Sequence, residues 1–516
     1  MLYATIRTPK TADDPNPMPQ SSGWSNRLLL AAIAGILFLT LYPFRFSIHP
    51  HVLLNSSPFL LGRGIKRLSF LDFFLNVLLF LPFGFGISYK LRQKNWSPAH
   101  SAIAAAVAGA VFSYAIEFAQ IYIPPRDSGW EDVFSNSTGA ALGALLFIAV
   151  GTPVFRRLSQ VEGYFESWLT APRVWILLFA YFGVWFLFSA WLQQQTNLAN
   201  WELKSSLIVG NDGSLESPWR GQLLRLQIWD HAISERQISE LAASGVADAA
   251  APPPLADYNF MEPPPIPEKQ GRLSPLAAPV KAYSGKSSGH SGNAGPWLVS
   301  ESPVNGLVSA IQKSNQFTVR MICRPFRIGG EEGAIVSIAE LGGKENLTVG
   351  QDGATLNFWF RSGVTTNQWR LPWPVPGVFS EDQVRDIVVS YDGSNVSAFM
   401  DGKKERRSPQ LGPGVALAKL FHRGKPGEVP IYNDIYYLAV FVPAGCLLGI
   451  FARKAGFGIL LGPLLASLAA APILLETVLV HSSGRPWSKG NLALSFLVVA
   501  LAALWINADQ PRVKTN

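Results

Sequence analysis

The chain has 516 residues, a formal net charge of +8 at pH 7 and 15% charged residues, whereas soluble domains average about 25%. This length predicts two or three domains, and the apolar balance excludes a purely soluble protein. Lys and Arg lie scattered in short loops between apolar segments, a distribution that follows membrane topology, so we expect no nucleic-acid partner.

Polar residues with Pro and Ser predict a disordered N-terminus over residues 1–25. The apolar segment at 27–44 lacks a small-residue cleavage site, so we interpret it as a retained signal anchor. Seven more segments approach the roughly 20 residues that cross a bilayer. They lie at about residues 70–91, 101–123, 133–154, 174–192, 435–452, 456–480 and 492–506.

Topology follows from the distribution of Lys and Arg between loops. Placing the N-terminus in the cytoplasm gives the inner loops more basic residues than the outer loops. We therefore predict a multi-pass protein of the inner (cytoplasmic) membrane, with membrane lipids as partners. Residues 199–425, between the fifth span (172–193) and the C-terminal spans (432–508), are then extracytoplasmic.

Three predicted spans carry polar side chains that lipid does not tolerate, and ionisable groups inside spans indicate function. These are Asp72 and Asn76, Glu117 and Gln120, and Asp132 and Asn136. A spacing of three or four residues places each pair on one helix face. With the predicted topology, all of them gather at the outer ends of the helices, and Arg126 in the adjoining loop is the expected counter-charge.

Small residues in the same helices predict close packing. Gly139 and Gly143 form a G-x-x-x-G strip, which lets the fourth span approach a neighbouring helix. The sequence Pro82-Phe83-Gly84 is expected to bend the second span around the polar residues.

The segments DFFLNVLLFLPFG and IEFAQIYIPPRDSGWEDVFSNSTGAALG resemble the VanZ-like membrane family over residues 26–155. That family carries D-x-x-x-N, P-x-G, E-x-x-Q, an Arg and D-x-x-x-N-x-x-G on successive helices. The matching positions are Asp72, Asn76, Pro82, Gly84, Glu117, Gln120, Arg126, Asp132, Asn136 and Gly139. The resemblance implies a link to resistance to the glycopeptide teicoplanin, but it supplies no reaction.

Residues 199–425 are predicted to form an all-β domain. The stretches 317–324 and 355–361 alternate as strands do, and YDG at 391–393 followed by FMDG at 399–402 indicates a hairpin and a turn. These features resemble a laminin G-like or concanavalin A-like jelly roll. The segment from Trp219 resembles the closing strand and helix of such modules, although here it precedes the body of the domain.

The jelly-roll resemblance implies carbohydrate binding, and Ca²⁺ binding in some members. Asp392 and Asp401 are better interpreted as turn residues, because Asp-Gly is a strong turn signal, so we expect no cofactor. Trp359, Trp369 and Trp373 either stack on sugar rings or fill the core.

Two smaller observations complete the sequence. Cys323 and Cys446 fall in different environments, so no disulfide joins them, and no metal-ligand spacing occurs. Glu476 and Arg485 lie nine residues apart, as Glu117 and Arg126 do, which reflects either a degraded repeat of the helix pair or chance.

The predicted fold is a multi-domain chain, in which a polytopic α-helical membrane bundle of about eight transmembrane helices accompanies an all-β jelly-roll sandwich. Three roles for the polar residues remain open, namely a packing network, a headgroup or sugar site, and a catalytic centre. The catalytic candidates are Glu117, Asp132 and Asp72, and the binding candidates are Asn76, Gln120, Arg126 and Asn136.

Two functions remain open as well. The chain is either a cell-envelope protein whose β-sandwich binds glycans, or a membrane enzyme or transporter acting on lipid-linked or glycan precursors. The sequence does not decide whether a reaction occurs.

Overall fold

The structure is a computed structural model that describes residues 24–42, 70–123, 129–244, 252–279, 297–326, 330–366, 370–405, 409–420, 429–455 and 461–507. The predicted disordered terminus (except its last two residues), Arg126 and Trp369 lie outside these ranges. The chain divides into two compact units. One comprises Met1–Leu178, Gly445–Leu464 and Ala500–Asn516, and the other comprises Phe179–Ala444 and Leu465–Val499.

The long apolar helices follow the predicted spans. In chain order, the helices are α1 (Trp24–Leu41), α2 (Phe70–Gln93), α3 (Pro98–Gln120), α4 (Trp130–Leu146), α5 (Thr152–Trp168), α6 (Ala171–Gln194), α7 (Glu235–Ser244), α8 (Asn305–Ser314), α9 (Pro413–Leu420), α10 (Val429–Ala455), α11 (Leu461–Ser483) and α12 (Lys489–Asn507). Most of α5 and the short helices α7, α8 and α9 lie outside the predicted spans. A π-helical segment, Phe147–Gly151, joins α4 to α5 without a break.

Within the described ranges, six helical stretches are long and apolar enough to cross a membrane. They include α2, α3, α6, α10 and α12, and a continuous stretch from α4 into α5. The first and seventh predicted spans coincide with shorter apolar helices, Asn26–Leu41 and Ala469–Ser483. The chain is therefore helical and membrane-type on both sides of its β region.

Helices α1 to α4 share a core, because apolar side chains from all four meet in one cluster. It contains Ile36, Phe80, Phe83, Ile116 and Ala140. Helix α4 lies so close to α2 that a Cβ on Gly139 would overlap the backbone of Val77, and one on Gly143 would overlap that of Leu81. The G-x-x-x-G strip thus brings these two backbones into direct contact, as expected for small residues at a membrane-helix interface.

Two antiparallel sheets form the β region. The strands are β1 (Ser206–Val209), β2 (Gly221–Trp229), β3 (Ala256–Asn259), β4 (Leu276–Ala277), β5 (Leu298–Ser300), β6 (Phe317–Pro325), β7 (Gly330–Ala339), β8 (Glu345–Gly353), β9 (Thr355–Phe360), β10 (Trp373–Val375), β11 (Arg385–Tyr391), β12 (Val396–Met400) and β13 (Lys403–Lys404). The seven-stranded sheet has the order β10-β9-β8-β7-β1-β5-β4, and the six-stranded sheet has the order β13-β12-β11-β6-β2-β3.

Aromatic side chains from both sheets meet in a sandwich-like core. The ring of Phe360 on β9 lies 5.2 Å from that of Phe317 on β6 and 4.8 Å from that of Tyr391 on β11. The segment that begins near Trp219 supplies β2, which pairs with β6 on one side and β3 on the other. This early segment therefore lies inside the six-stranded sheet and not at its edge.

Candidate functional site

The sequence-predicted polar residues lie at the start of α2, the end of α3 and the start of α4. These helix ends are adjacent because α4 packs on both α2 and α3 through buried small residues: Ala140 contacts Gly84 on α2 and would meet a Cβ on Gly109 of α3. Each polar side chain is therefore presented by a rigid helix, which positions side chains more firmly than a loop does.

The central contact joins α2 to α4. The amide of Asn76 donates to Asp132 Oδ1 at 2.6 Å, and it also approaches Ser135 Oγ at 3.2 Å. Ser135 donates in turn to the carbonyl of Asp132 at 3.1 Å. This contact between two helices holds the carboxyl group of Asp132 in a defined orientation.

A second contact joins α4 to α3, one helical turn further along α4. The amide of Asn136 donates to Ser113 Oγ at 2.8 Å, and both residues are buried. The Oδ1 atom of Asn136 is buried and has no hydrogen-bond partner among the described residues. Buried polar atoms are nearly always partnered, so this acceptor is available to a group from outside the described residues.

Glu117 caps the next helix. It is 2% exposed, and its Oε2 accepts from the backbone N–H of Gly129 at 3.0 Å. Gly129 is the residue before α4 and contributes no capping side chain of its own. A carboxylate at a helix N-terminus satisfies an orphan N–H and is favoured by the helix dipole. Glu117 therefore has a structural role in addition to any chemical one.

Gln120 makes a contact of a different kind. Its amide donates to the carbonyl of Thr40 at 2.9 Å, which ties the end of α3 to the end of α1. Ser113, Glu117 and Gln120 are spaced by four and three residues and share the buried face of α3. Gln120 thus helps to assemble the helices, whereas Ser113 and Glu117 face α4.

Asp72 does not join these contacts. It lies in the first turn of α2, its side chain is exposed, and it makes no hydrogen bond with the described residues. The structure therefore brings together Asn76 with Asp132 and Asn136 with Ser113, and places Glu117 against the start of α4. We call Asn76, Ser113, Glu117, Asp132, Ser135 and Asn136 the first polar centre.

Ser113 and Ser135 were not among the predicted site residues. Each is a small polar residue within an apolar helix, four residues before Glu117 and three residues after Asp132 respectively. That spacing puts each serine on the same helix face as a predicted site residue, and this shared face could have identified both serines. Hydroxyl groups are common in membrane helices, so the spacing alone does not distinguish a site from ordinary packing.

The first polar centre combines the half-buried carboxyl group of Asp132 and the buried one of Glu117 with amide and hydroxyl groups, and such groups can bind hydroxyl, amide or amine functions of a ligand. No group of three or more His, Cys, Asp or Glu side chains that could hold a metal ion occurs within the described part of the chain.

The β region uses its candidate ligand residues structurally. Asp392 Oδ1 accepts from the N–H groups of Ser394 and Asn395 at 3.0 and 2.6 Å. Asp401 Oδ1 accepts from the N–H of Asp386 at 3.0 Å. Asp392 therefore uses its acceptor on its own turn, as turn residues do, whereas Asp401 binds the backbone of the neighbouring strand β11.

Two of the three candidate tryptophans lie within the described ranges, and both are buried. Trp359 and Trp373 are each 5% exposed, and the guanidinium of Arg370 lies 4.6 Å from the centroid of the Trp359 ring. Neither ring has an open face for stacking on a sugar. In these two tryptophans the core role, and not the sugar-stacking role, fits the structure.

Cys323 and Glu202 are among the groups of the β region whose pKa values are shifted. Burial and the nearby carboxylate of Asp386 raise the pKa of the Cys323 thiol to about 12. A hydrogen bond from Lys344 lowers the pKa of Glu202, and Arg361 acts in the same direction. Cys323 and Cys446 are both free thiols.

Residues 17–151 match the family model described as VanZ/LLP1, which covers about a quarter of the chain. This range contains α1 to α4 and the whole first polar centre. No curated protein and no solved structure matches the chain. The chain thus combines a VanZ-like helical domain, further apolar helices typical of a membrane protein, and an antiparallel β region.

Proposed function

We propose that this chain is an integral membrane protein of the cell envelope whose first polar centre binds the polar part of a lipid-linked glycan precursor. The supporting observation is the Asn76–Asp132 hydrogen bond of 2.6 Å, with the unpartnered Oδ1 of Asn136 one turn away on the same helix. A carboxyl oxygen beside an unused amide oxygen suits the hydroxyl and amide groups of a sugar.

The positive-inside rule favours a topology in which this centre lies near the outer leaflet of the inner membrane and the β region is extracytoplasmic. In that arrangement, a lipid-linked precursor presents its sugar to the ends of α2, α3 and α4 while its lipid stays in the bilayer. The VanZ-like match supports a role in cell-wall biology and in glycopeptide (teicoplanin-type) resistance. Glycan binding by the β region would add a second contact with the same class of molecule.

Thermal unfolding of the purified full-length protein tests the binding role. A lipid-linked disaccharide-peptide precursor is the probe, and the same lipid without its sugar is the reference. The probe is expected to raise the unfolding midpoint of the wild type and not of Asp132→Asn. Equal stabilisation of both proteins, or stabilisation by the bare lipid alone, would contradict the proposed site.

A matched control comes from the same helix. Thr138 donates only to the carbonyl of Phe134 within α4, so Thr138→Val removes a hydroxyl outside the first polar centre. This variant is expected to respond to the precursor as the wild type does. A loss of response in Thr138→Val would indicate damage to the helix and not to a ligand site.

A membrane enzyme or transporter acting on the same precursors is the second candidate. It is favoured by the position of Asp132, a half-buried carboxylate held by Asn76, with the buried carboxylate of Glu117 on the neighbouring helix. Incubation with labelled precursor followed by chromatography of the products separates the two roles. Binding without conversion supports the binding protein, and conversion that Asp132→Asn abolishes supports the enzyme.

A further inference from the structure

The C-terminal helices repeat the residue pattern of α2 to α4. Glu476 on α11 precedes Arg485 by nine residues, as Glu117 precedes Arg126. The start of α12, Lys489, follows Glu476 in the sequence. The start of α4, Trp130, follows Glu117 by the same number of residues. The two helical hairpins therefore align without a gap from the glutamate into the following helix.

The contacts repeat as well as the spacing. Glu476 Oε1 accepts from the N–H of Ser488 at 2.7 Å, and Ser488 immediately precedes α12. Glu117 accepts from the N–H of Gly129, which immediately precedes α4. Both carboxylates thus cap the next helix, and both contacts span 12 residues. Equal sequence spacing with equal hydrogen bonding is far less expected by chance than either feature alone.

Helix α10 corresponds to α2 in the same way. Pro443 and Gly445 form a P-x-G inside α10, as Pro82 and Gly84 do inside α2. At the positions that correspond to Asp72 and Asn76, counted back from the proline, α10 carries Asn433 and Tyr437. On α12, the position of Asp132 is taken by Asn491.

These residues lie together in a second polar centre, which we define as Asn433, Tyr437, Glu476, Arg485 and Asn491. Arg485 donates to Glu476 at 2.6 Å, and the two side chains are 1% and 2% exposed. Tyr437 and Asn491 occupy the positions of Asn76 and Asp132, and the buried hydroxyl of Tyr437 has no hydrogen-bond partner among the described residues. In the first polar centre, Asn76 and Asp132 bind each other.

The helix before α10 also has a counterpart. Tyr181 on α6 donates to the carbonyl of Val440 on α10 at 2.8 Å, and Tyr436 on α10 donates to Ser189 on α6. Helix α6 thus packs on α10, just as α1 packs on α2. The connection between α1 and α2 consists of residues 42–69, whereas the connection between α6 and α10 contains the β region.

The β region rests on this second centre. Asn315 donates to the carbonyl of Ser483, at the end of α11, at 2.8 Å. Gln410 accepts from Asn491 through its side chain at 3.2 Å and from Asn433 through its carbonyl at 2.8 Å. Gly393, with φ of 91°, lies against Ser483 and Arg485, where a Cβ would stand 3.0 Å from the Ser483 carbonyl oxygen.

We infer that α6 and α10–α12 are a second, altered copy of the VanZ-like helical unit, with the β region inserted in its first connection. In this copy, amides occupy the positions of Asp72 and Asp132. Glu476 and Arg485 neutralise each other's charge, and the β region covers the centre. The second polar centre therefore seats the β region and does not bind the ligand proposed for the first. The seating role does not depend on what the first polar centre binds.

Hydrogen exchange on the full-length protein in lipid nanodiscs tests whether the second polar centre holds the β region in place. The reporter is the backbone amide of Leu411, the residue after Gln410. This amide donates to the Ser394 carbonyl at 2.7 Å. Glu476→Gln leaves Arg485 charged and buried, which is strongly unfavourable. We expect at least tenfold faster exchange at Leu411 in this variant, with the β2–β6 ladder unchanged. Glu117→Gln, the matched change in the first copy, is expected to leave Leu411 at its wild-type rate.

A second variant acts from the β side in case Glu476→Gln does not accumulate. Asn315→Gly keeps the left-handed backbone that Asn315 adopts at φ 57°, yet it removes the hydrogen bond to the Ser483 carbonyl and the one accepted from the Leu198 N–H. Faster exchange at Leu411 is again expected. The seating role would be overturned if the Leu411 amide exchanged at the wild-type rate in Asn315→Gly and in any Glu476→Gln protein that accumulates. It would also be overturned if Glu117→Gln accelerated this exchange equally.

Cysteine cross-linking tests the repeat itself, in a chain whose Cys323 and Cys446 are replaced by alanine. The register that places Val77 against Gly139 corresponds to Leu438 against Val498 in the second copy. Leu438→Cys with Val498→Cys is expected to cross-link efficiently on oxidation. Leu438→Cys with Leu497→Cys, whose native side chain is 56% exposed, is the shifted control. Equal or preferential cross-linking of the control pair would contradict the register.

Discussion

The amide of Asn76 and the carboxylate of Asp132 lie 2.6 Å apart, although 56 residues separate them in the chain. This contact joins the second turn of α2 to the first turn of α4, at the end where Glu117 caps α4. The close approach of α2 and α4 at Gly139 and Gly143 makes it possible, because bulkier residues there would hold the helices apart. Packing and polar chemistry therefore depend on each other in this domain.

The interface glycines give the first prediction. Gly143→Ala places a Cβ into the backbone of Leu81, and we expect it to cost about 1–3 kcal/mol or more, as overpacking does. Gly183→Ala, on α6, meets nothing within 4 Å and is expected to be neutral or to stabilise its helix by up to about 1 kcal/mol. Thermal unfolding of both variants in detergent provides the comparison. Equal midpoints would mean that α2 and α4 are not in backbone contact.

The Asn136–Ser113 pair gives the second prediction. Replacing both buried partners by apolar residues is often nearly neutral for stability, so Asn136→Leu with Ser113→Ala is expected to change the free energy of unfolding by less than about 1 kcal/mol. The same variant removes the unpartnered Oδ1 of Asn136, so precursor binding is expected to weaken at least tenfold. Unfolding and binding are measured on the same preparation. Unchanged binding would assign the pair to packing alone.

The buried thiol of Cys323 gives the third prediction. Its pKa is raised to about 12, so almost none of it is the reactive thiolate at pH 8. Cys323 is expected to resist iodoacetamide in the folded protein and to react readily once the protein is unfolded. Mass spectrometry of its peptide measures the modified fraction with time. Modification at the rate of an exposed thiol under native conditions would contradict the buried position of β6.

Acid stability gives the fourth prediction. Lys344 donates to Glu202 at 2.6 Å, and this bond lowers the pKa of Glu202 below its ordinary value of 4.5. The stabilisation is therefore present above pH 4.5 and is lost as the pH falls through the lower pKa of the folded state. Because the pair is partly exposed, its effect is expected to be at most about 1 kcal/mol.

Glu202→Gln is the variant that checks the sign. It is expected to reduce the loss of unfolding free energy between pH 5 and pH 3, roughly the range in which the carboxyl titrates. Near pH 7 it is expected to change the pH dependence of the unfolding free energy less. Denaturant unfolding of the full-length protein at a series of pH values gives the comparison. A steeper acid loss in the variant than in the wild type would contradict the lowered pKa of Glu202.

The sequence was most informative where a single helix or strand repeats a simple residue spacing. The strip of Gly139 and Gly143 predicted a close neighbour, and α2 occupies that position. The alternation at residues 317–324 and 355–361 predicted strands, and β6 and β9 occupy these ranges. Such features depend only on residues within one element, which is why they can be read from a single chain.

The partners of each polar residue were less accessible. Asp72 and Asn76 share a helix face, yet only Asn76 reaches Asp132, because Asp72 lies one turn nearer the helix end, where its side chain is exposed. The pairing of Asn136 with Ser113 depends on the rotation of α3 against α4, which a single sequence does not encode in any spacing. The order of strands in the two sheets is non-local in the same sense.

Equilibrium binding of a labelled lipid-linked disaccharide-peptide precursor to nanodiscs tests the central claim most directly. It compares the wild type with Asp132→Asn, and with Thr138→Val as the control on the same helix. We predict saturable binding that Asp132→Asn weakens at least tenfold, about 1.4 kcal/mol, and that Thr138→Val leaves unchanged. Equal affinity in folded wild type and folded Asp132→Asn would show that the Asn76–Asp132 contact belongs to helix packing and not to a ligand site.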